Sequence, residues 1–168
     1  MPRNIQWPIE ELTKRHLRTT FDCGEPALND YLKKFALQNA KNNVSKTFVV
    51  VSPEAKVLGF YSLSAANIDV ESLPSDIRKK LPHYPIPMAR LTRLAVDQSM
   101  QGQGLGEFIL IDSLQRCVKL AKEMGIFGVL VDAKHEKAKH FYQKYGFREV
   151  VSQPLTLFLP IKTIIASL

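Results

Sequence analysis

Cysteine is scarce in this chain, and its scarcity excludes two classes of small protein. The 168 residues include only Cys23 and Cys117, too few for the disulfide framework of a secreted miniature domain. Neither belongs to a Cys/His cluster with the spacing of a structural zinc site. We therefore expect a protein of the reducing cytoplasm.

Long apolar runs are also missing. No stretch approaches the ~20 apolar residues that cross a bilayer, and residues 1–6 carry no apolar segment of secretory length. We expect neither membrane insertion nor secretion. The hydrophobic fraction of 45% and the charged fraction of 23% are those of an ordinary globular protein, so we expect one domain over residues 1–168.

Acidic residues are too few to balance the basic ones. The chain has 23 Lys and Arg against 16 Asp and Glu, a formal net charge of +7. Such an excess favours a polyanionic partner, either nucleic acid or an acidic protein. Solvated basic faces would give the same composition, so charge alone does not choose between these interpretations.

The hydrophobic pattern predicts a mixture of helices and strands. Apolar residues at helical spacing predict a helix over residues 26–42, and β-branched runs predict a hairpin of strands 46–51 and 57–65. Four prolines within residues 73–87 predict an irregular loop with a short helical turn and argue against a central strand there. The elements expected after it are a strand (91–96), a long helix (105–124), a buried strand (127–131), a helix (135–145) and two extended runs (147–151 and 155–159) separated by Gln153-Pro154.

A glycine loop connects the strand at 91–96 to the long helix. Its sequence is Gln101-Gly102-Gln103-Gly104-Leu105-Gly106. Backbone N–H groups at a helix start bind anions, and glycine lets the backbone approach phosphate oxygens closely. A dinucleotide fingerprint would need glycine where Glu107 stands, and a P-loop would need Gly-Lys-Ser/Thr. The loop is either a phosphate site of another kind or a turn without a ligand.

The loop matches the pattern Gln/Arg-x-x-Gly-x-Gly/Ala. Together with the strand 93–96 before it and Phe-Tyr-x-x-x-Gly-Phe at 141–147, it makes the chain similar to the GNAT acetyltransferase superfamily over residues 46–147. The resemblance implies an α/β fold of α+β type, with a mixed central sheet flanked by helices and splayed between its two parallel middle strands. It also implies acetyl-CoA as acetyl donor, held by strand backbone and loop amides at Leu94, Ala95, Val96, Gln101, Gly102, Gln103, Gly104, Leu105 and Gly106.

Tyr142 is the candidate catalytic residue. In GNAT enzymes the tyrosine at its place in the 141–147 motif commonly acts as general acid toward the coenzyme A sulfur. Helical spacing puts Ala138, Phe141 and Tyr145 within one arc, which predicts that Tyr145 is core and Tyr142 lies at the rim of the site. A packing role for a half-buried Tyr142 is the alternative.

No carboxylate is an obvious general base. Asp97, Glu107 and Asp132 are near the site in sequence, but Asp97 and Asp132 end strands, where turn and capping roles are common. The base stays unassigned, since a partly neutral amine can lose its proton to water. His135 and His140 are five residues apart rather than the four of a zincin, so we expect no metal.

Motifs in the amino-terminal third narrow the resemblance. Phe21-Asp22-Cys23-Gly24, Leu28-Asn29 and the Arg90-Leu91-x-Arg93 strand are similar to those of GNAT toxins from bacterial type II toxin–antitoxin pairs. This implies acetylation of the α-amino group of aminoacyl-tRNA, a block of translation, neutralisation by a ribbon-helix-helix antitoxin and, as often in that group, a homodimer. Arg90 and Arg93 would contact tRNA or, equally well, form ion pairs that anchor the strand.

Two other functions stay open at this level. The enzyme could acetylate a polyamine, an antibiotic or a protein amine, although a small cationic substrate favours an acidic cleft and this chain is basic. Alternatively, the chain could be a non-catalytic co-repressor that joins a DNA-binding antitoxin. Loss of Tyr142 or of the glycine loop would have supported the co-repressor function, and both are present.

Overall fold

A computed structural model describes residues 7–167. Its strands form a seven-stranded sheet in the order β1-β2-β3-β4-β5-β7-β6. The strands are β1 (Ile9–Glu11), β2 (Lys46–Val51), β3 (Val57–Ile68), β4 (Ile86–Val96), β5 (Gly128–Asp132), β6 (Arg148–Val150) and β7 (Gln153–Pro160), and the helices are α1 (Pro26–Asp30), α2 (Ala36–Lys41), α3 (Ser75–Arg78), α4 (Leu105–Ala121), α5 (Glu136–Gln143) and α6 (Ile161–Ser167).

The sheet is mixed, as predicted. β4 and β5 are parallel, with Met88–Leu91 opposite Gly128–Val131, whereas β1–β2, β2–β3, β5–β7 and β6–β7 are antiparallel. Leu94, Ala95 and Val96 lie on β4 beyond this parallel register. Among residues 7–167, no helix is both long and apolar enough to cross a membrane.

The chain forms two compact units. In the described part, the first comprises residues up to Leu63 together with Arg93–Asp112, and the second comprises Ser64–Thr92 and the residues from Ser113 onward. The single domain expected over 1–168 stays a prediction.

In the first unit, the predicted helix and hairpin are confirmed. The helix begins at Pro26 and ends at Lys41, but its middle part, Tyr31–Phe35, is π-helical, a change of pitch that periodicity does not predict. Strand β2 has the predicted bounds, and β3 continues to Ile68. The core includes Phe60, whose ring meets the Phe21 ring edge-on at 5.6 Å.

In the second unit, the start of β4 corrects the prediction that prolines exclude a strand before residue 88. The strand begins at Ile86 and includes Pro87. Pro87 lacks only the N–H, and its carbonyl accepts a hydrogen bond from the Phe127 N–H at 2.8 Å. A proline near the first residue of a strand therefore costs little pairing.

The carboxyl-terminal hairpin also differs from its prediction. Gln153 and Pro154 belong to β7 rather than to the connection, which lies at Val151 and Ser152. Ser152 supplies the turn with a positive φ of 66°. Two short elements, β1 and α6, lacked a recognisable sequence pattern, and α4 ends at Ala121, three residues earlier than predicted.

Gly128 allows the close approach of β5 and β7. A Cβ there would lie 2.6 Å from the Leu159 carbonyl oxygen, which is backbone and cannot rotate away. We expect Gly128→Ala to lower the free energy of unfolding by about 1–3 kcal/mol, measured by urea denaturation. Gly125→Ala is the control, because a Cβ at Gly125 meets nothing within 4 Å. Equal stability of the two variants would contradict this packing argument.

Candidate active site

The glycine loop enters α4 through two glycines in left-handed backbone conformations. Gly102 has φ +79° and Gly104 has φ +86°, and a Cβ on either would meet nothing within 4 Å. Backbone geometry, not crowding, is therefore the reason for glycine at both positions. The Phe108 N–H donates to the Gly104 carbonyl at 3.0 Å, so the N–H groups of residues 105–107 precede the first intrahelical bond and can face an anion.

Gln101 fastens the start of the loop. Its side-chain Nε2 donates to the carbonyl oxygen of Val96 at 2.9 Å and to that of Cys23 at 3.1 Å. One amide group thus ties the loop to the end of β4 and to a segment far away in sequence. The sequence pattern assigned Gln101 to the cofactor site, and its side chain is engaged in holding the loop.

Asp97 shapes the turn between β4 and the loop. Its carboxylate accepts from the Ser99 N–H at 3.0 Å and from the Ser99 hydroxyl at 2.6 Å. Burial opposes ionisation of Asp97, but these bonds and one from the Asp22 N–H together outweigh burial and lower its pKa. The expected capping role is confirmed, and a carboxylate so engaged is a poor candidate for a general base.

A cavity of about 170 Å³ lies in the first unit beside the loop. It brings together Leu94, Ala95, Val96 and Gln101, four of the residues proposed from sequence for the cofactor. The same cavity is lined by three residues whose place in the site the sequence did not reveal: Cys23, Glu25 and Leu28.

Tyr142 lies on α5 in the second unit, and its placement corrects the predicted core and rim. Tyr142 is the buried tyrosine, with 7% of its surface exposed, whereas Tyr145 is half-buried. The Tyr142 ring packs edge-on against Phe141 and Phe147, with centroids 5.2 and 5.5 Å away. Burial raises the pKa of the Tyr142 hydroxyl well above its usual value, so the group keeps its proton at neutral pH.

Polar contacts hold helix α5 at its start and at its middle. His135 caps its start, with Nδ1 accepting the Ala138 N–H at 3.2 Å. Lys139 forms an ion pair with Glu149 on β6. His135 therefore has a capping role, and residues 7–167 hold no group of three or more His, Cys, Asp and Glu suited to a metal ion.

The family model for the GNAT acetyltransferase domain matches residues 44–149, a segment that contains the glycine loop and Tyr142. This chain belongs to the GNAT acetyltransferase family. It is an N-acetyltransferase that uses acetyl-CoA as its donor. The GNAT fold expected from the sequence is confirmed.

Curated relatives and solved structures are similar to this chain over nearly its whole length. A "tRNA-acetylating toxin" of Mycobacterium tuberculosis is 40% identical over 86% of both chains, and the "Probable toxin TacT" of Sinorhizobium fredii is 33% identical over 89% of this chain and 88% of its own. A tyrosine-to-phenylalanine variant of KacT superposes with a TM-score of 0.93 at 34% identity, covering 98% of this chain and 100% of KacT.

Two structures of AtaT show what that protein binds. AtaT in complex with acetyl-methionyl-tRNAfMet has a TM-score of 0.90 at 34% identity, covering 96% of this chain and 99% of AtaT. A variant of AtaT bound to acetyl-CoA and to the C-terminus of the antitoxin AtaR has a TM-score of 0.81 at 31% identity. The match covers 95% of this chain and 96% of the AtaT variant.

Arg90 and Arg93 of this GNAT enzyme have intramolecular partners. Arg90 forms an ion pair with Asp132, and Thr156 donates to the other oxygen of that carboxylate at 2.8 Å. The Arg93 guanidinium lies over the Tyr31 ring, 3.7 Å from its centroid. These are the contacts of residues that anchor a strand, and a contact with tRNA stays a prediction for both arginines.

Proposed function

We propose that this enzyme acetylates the α-amino group of aminoacyl-tRNA and thereby blocks translation as a toxin. The observation that carries the proposal is the similarity over nearly the whole chain to a tRNA-acetylating toxin and to AtaT in complex with acetylated methionyl-tRNA. A substrate of this kind places the activity in the cytoplasm. Its cognate inhibitor is an antitoxin of the ribbon-helix-helix type, and the active form is a homodimer.

Backbone groups of the loop and of β4 hold acetyl-CoA, the acetyl donor. Amides of Gln101, Gly102, Gln103, Gly104, Leu105 and Gly106 bind its pyrophosphate, because the left-handed glycines turn the loop into the start of α4. The strand backbone of Leu94, Ala95 and Val96 lies beyond the β4–β5 register and lines the cavity, which suits pairing with the pantetheine arm. Bound acetyl-CoA supplies a thioester whose acetyl group passes to the amine.

Tyr142 holds the proton that the departing thiolate needs. Burial raises the pKa of its hydroxyl and is the cause of that rise, so the group enters the reaction protonated. A hydroxyl that stays protonated at neutral pH has a proton to give to the departing thiolate and cannot take one from the amine. This favours the general-acid role over a general-base role for Tyr142.

The acceptor amine fits an active site without an assigned base. An α-amine in an aminoacyl ester is less basic than a lysine side chain, so more of it is neutral at pH 7, and water can remove its proton. Asp97 is held by hydrogen bonds and Asp132 is paired with Arg90, so neither is available as a base. The net charge of +7 suits a polyanionic RNA substrate.

The decisive assay offers labelled acetyl-CoA to the purified enzyme with a set of amines. We expect label in total aminoacyl-tRNA, and none in the same tRNA stripped of its amino acids or in a panel of polyamines and peptides. Affinity for tRNA should fall steeply with salt because phosphate contacts release counterions, while affinity for acetyl-CoA should respond less. Titrations at several salt concentrations give both slopes.

Three results would contradict the proposal that the enzyme binds and acetylates aminoacyl-tRNA. Label in polyamines or peptides with charged tRNA untouched would assign the enzyme to small-molecule or protein acetylation. The absence of turnover with every amine, together with tight binding of an antitoxin on DNA, would favour a co-repressor. Equal salt slopes for tRNA and acetyl-CoA would contradict phosphate contacts as the basis of RNA binding.

A further inference from the structure

Asp22 lies at the centre of a hydrogen-bonded cluster beside the glycine loop. We call this cluster, formed by Asp22, Cys23, Gly24 and Asn29, the brace. Its carboxylate Oδ1 accepts from the Gly24 N–H at 2.9 Å and from the Asn29 side-chain amide at 3.0 Å. Its backbone N–H donates to the Asp97 carboxylate at 2.9 Å, and its carbonyl accepts the Gln98 N–H at 2.8 Å. Asp22 is thus bonded to the residues that directly precede the loop and to helix α1.

Asn29 fixes the other side of the brace. Its side-chain amide donates to Asp22 while its side-chain carbonyl accepts the Cys23 N–H at 2.9 Å. Asn29 is in the first turn of α1, and the neighbouring Leu28 is buried in the core. Helix α1 therefore holds residues 22–24 through the Asn29 side chain.

The brace also contacts the first residue of the loop and the turn that precedes the loop. Gln101 donates to the Cys23 carbonyl. Gly24 has φ +93°, and a Cβ on it would lie 3.0 Å from the side-chain nitrogen of Gln98. Residues 22–24 thus contact both the entry turn at 97–99 and the first residue of the loop, about 75 positions later in the chain.

We propose that Asp22 and Asn29 are positioning residues for the donor: they hold residues 97–101 and so place the loop amides that bind the coenzyme A pyrophosphate. This inference rests on the cofactor role of the loop given under Proposed function. Binding through backbone amides requires the loop to be ordered in advance, since a loose loop loses conformational freedom when the ligand binds. The conspicuous Asp22 and Asn29 of the amino-terminal motif thereby acquire a physical role.

The test measures donor and acceptor separately. We expect Asn29→Ala and Asp22→Ala each to weaken acetyl-CoA binding about ten-fold in calorimetric titration, the effect of losing a hydrogen bond to a charged group. The KM for acetyl-CoA should rise by a similar factor, with kcat and the KM for aminoacyl-tRNA unchanged. Asp30→Ala is the matched control, because Asp30 is exposed on the same helix and forms an ion pair with Lys34 at 3.6 Å.

An exchange of the two side chains provides a rescue. Asn29→Asp alone places a second carboxylate against Asp22 and should weaken acetyl-CoA binding more than Asn29→Ala does. The double variant D22N/N29D again pairs one carboxylate with one carboxamide and keeps an acceptor for both the Gly24 and Cys23 N–H groups. Its affinity for acetyl-CoA should return toward that of the parent.

The outcomes separate this inference from the function on which it rests. Unchanged acetyl-CoA affinity in folded Asn29→Ala and Asp22→Ala would overturn it, as would a lower melting temperature with no change in the KM for acetyl-CoA. Parallel losses for acetyl-CoA and tRNA would also overturn it. If the parent and a Gly104→Glu variant bind acetyl-CoA equally, it is the cofactor role of the loop that fails.

Discussion

Gly104→Glu is expected to fold and to bind acetyl-CoA at least about 100-fold more weakly than the parent. A side chain at φ +86° strains the backbone of an L-residue, and the new carboxylate stands where the pyrophosphate is to bind, so that like charges repel. Because a Cβ at Gly104 meets nothing within 4 Å, the protein's own packing is not disturbed. Calorimetric titration with acetyl-CoA measures the loss.

The control for this variant is Gly125→Glu. It makes the same change of charge at a glycine that also has open space around it, beyond the carboxyl-terminal end of α4 at Ala121. Both variants should keep a cooperative thermal transition, and Gly125→Glu should keep the parental affinity for acetyl-CoA. Parental affinity in folded Gly104→Glu would remove the loop from the donor site.

The loop could be predicted from the sequence because its determinants are local. Its residues 101–106 are contiguous, and the strand and helix on either side have clear periodicity. The brace that holds the loop could not be predicted in the same way. Asp22 and Asn29 are visible as a motif, but the bonds of Asp22 to Asp97 and of Cys23 to Gln101 join residues 75 and 78 positions apart, and no local pattern encodes such a pairing.

The wrong prediction of which tyrosine is buried has a different physical cause. Helical spacing turns Tyr142 about 100° away from Phe141, and Tyr145 lies beyond the end of α5 at Gln143. It could not show which side the rest of the chain covers. Phe147, which follows the helix, packs against the Tyr142 ring, and so the face with fewer apolar residues became the buried one.

Tyr142→Phe is expected to lower kcat by about 100-fold or more, the usual contribution of a general acid, and to leave acetyl-CoA affinity unchanged. Phenylalanine keeps the ring that packs against Phe141 and Phe147, so only the proton donor is removed. Folding should be preserved for the same reason. Steady-state rates with labelled acetyl-CoA and aminoacyl-tRNA, beside calorimetry, separate turnover from binding.

Tyr145→Phe is the matched control, because Tyr145 is on the same segment, half-buried, and packs against Phe141 with centroids 5.3 Å apart. It should turn over at the parental rate.

The raised pKa of Tyr142 also predicts how the rate depends on pH. The hydroxyl stays protonated through neutral pH and loses its proton only above the ordinary tyrosine value of about 10, so the parent should show no loss of rate from Tyr142 ionisation between neutral pH and that value. Parental turnover in Tyr142→Phe would end the general-acid assignment, and a loss confined to Tyr145→Phe would transfer it to Tyr145.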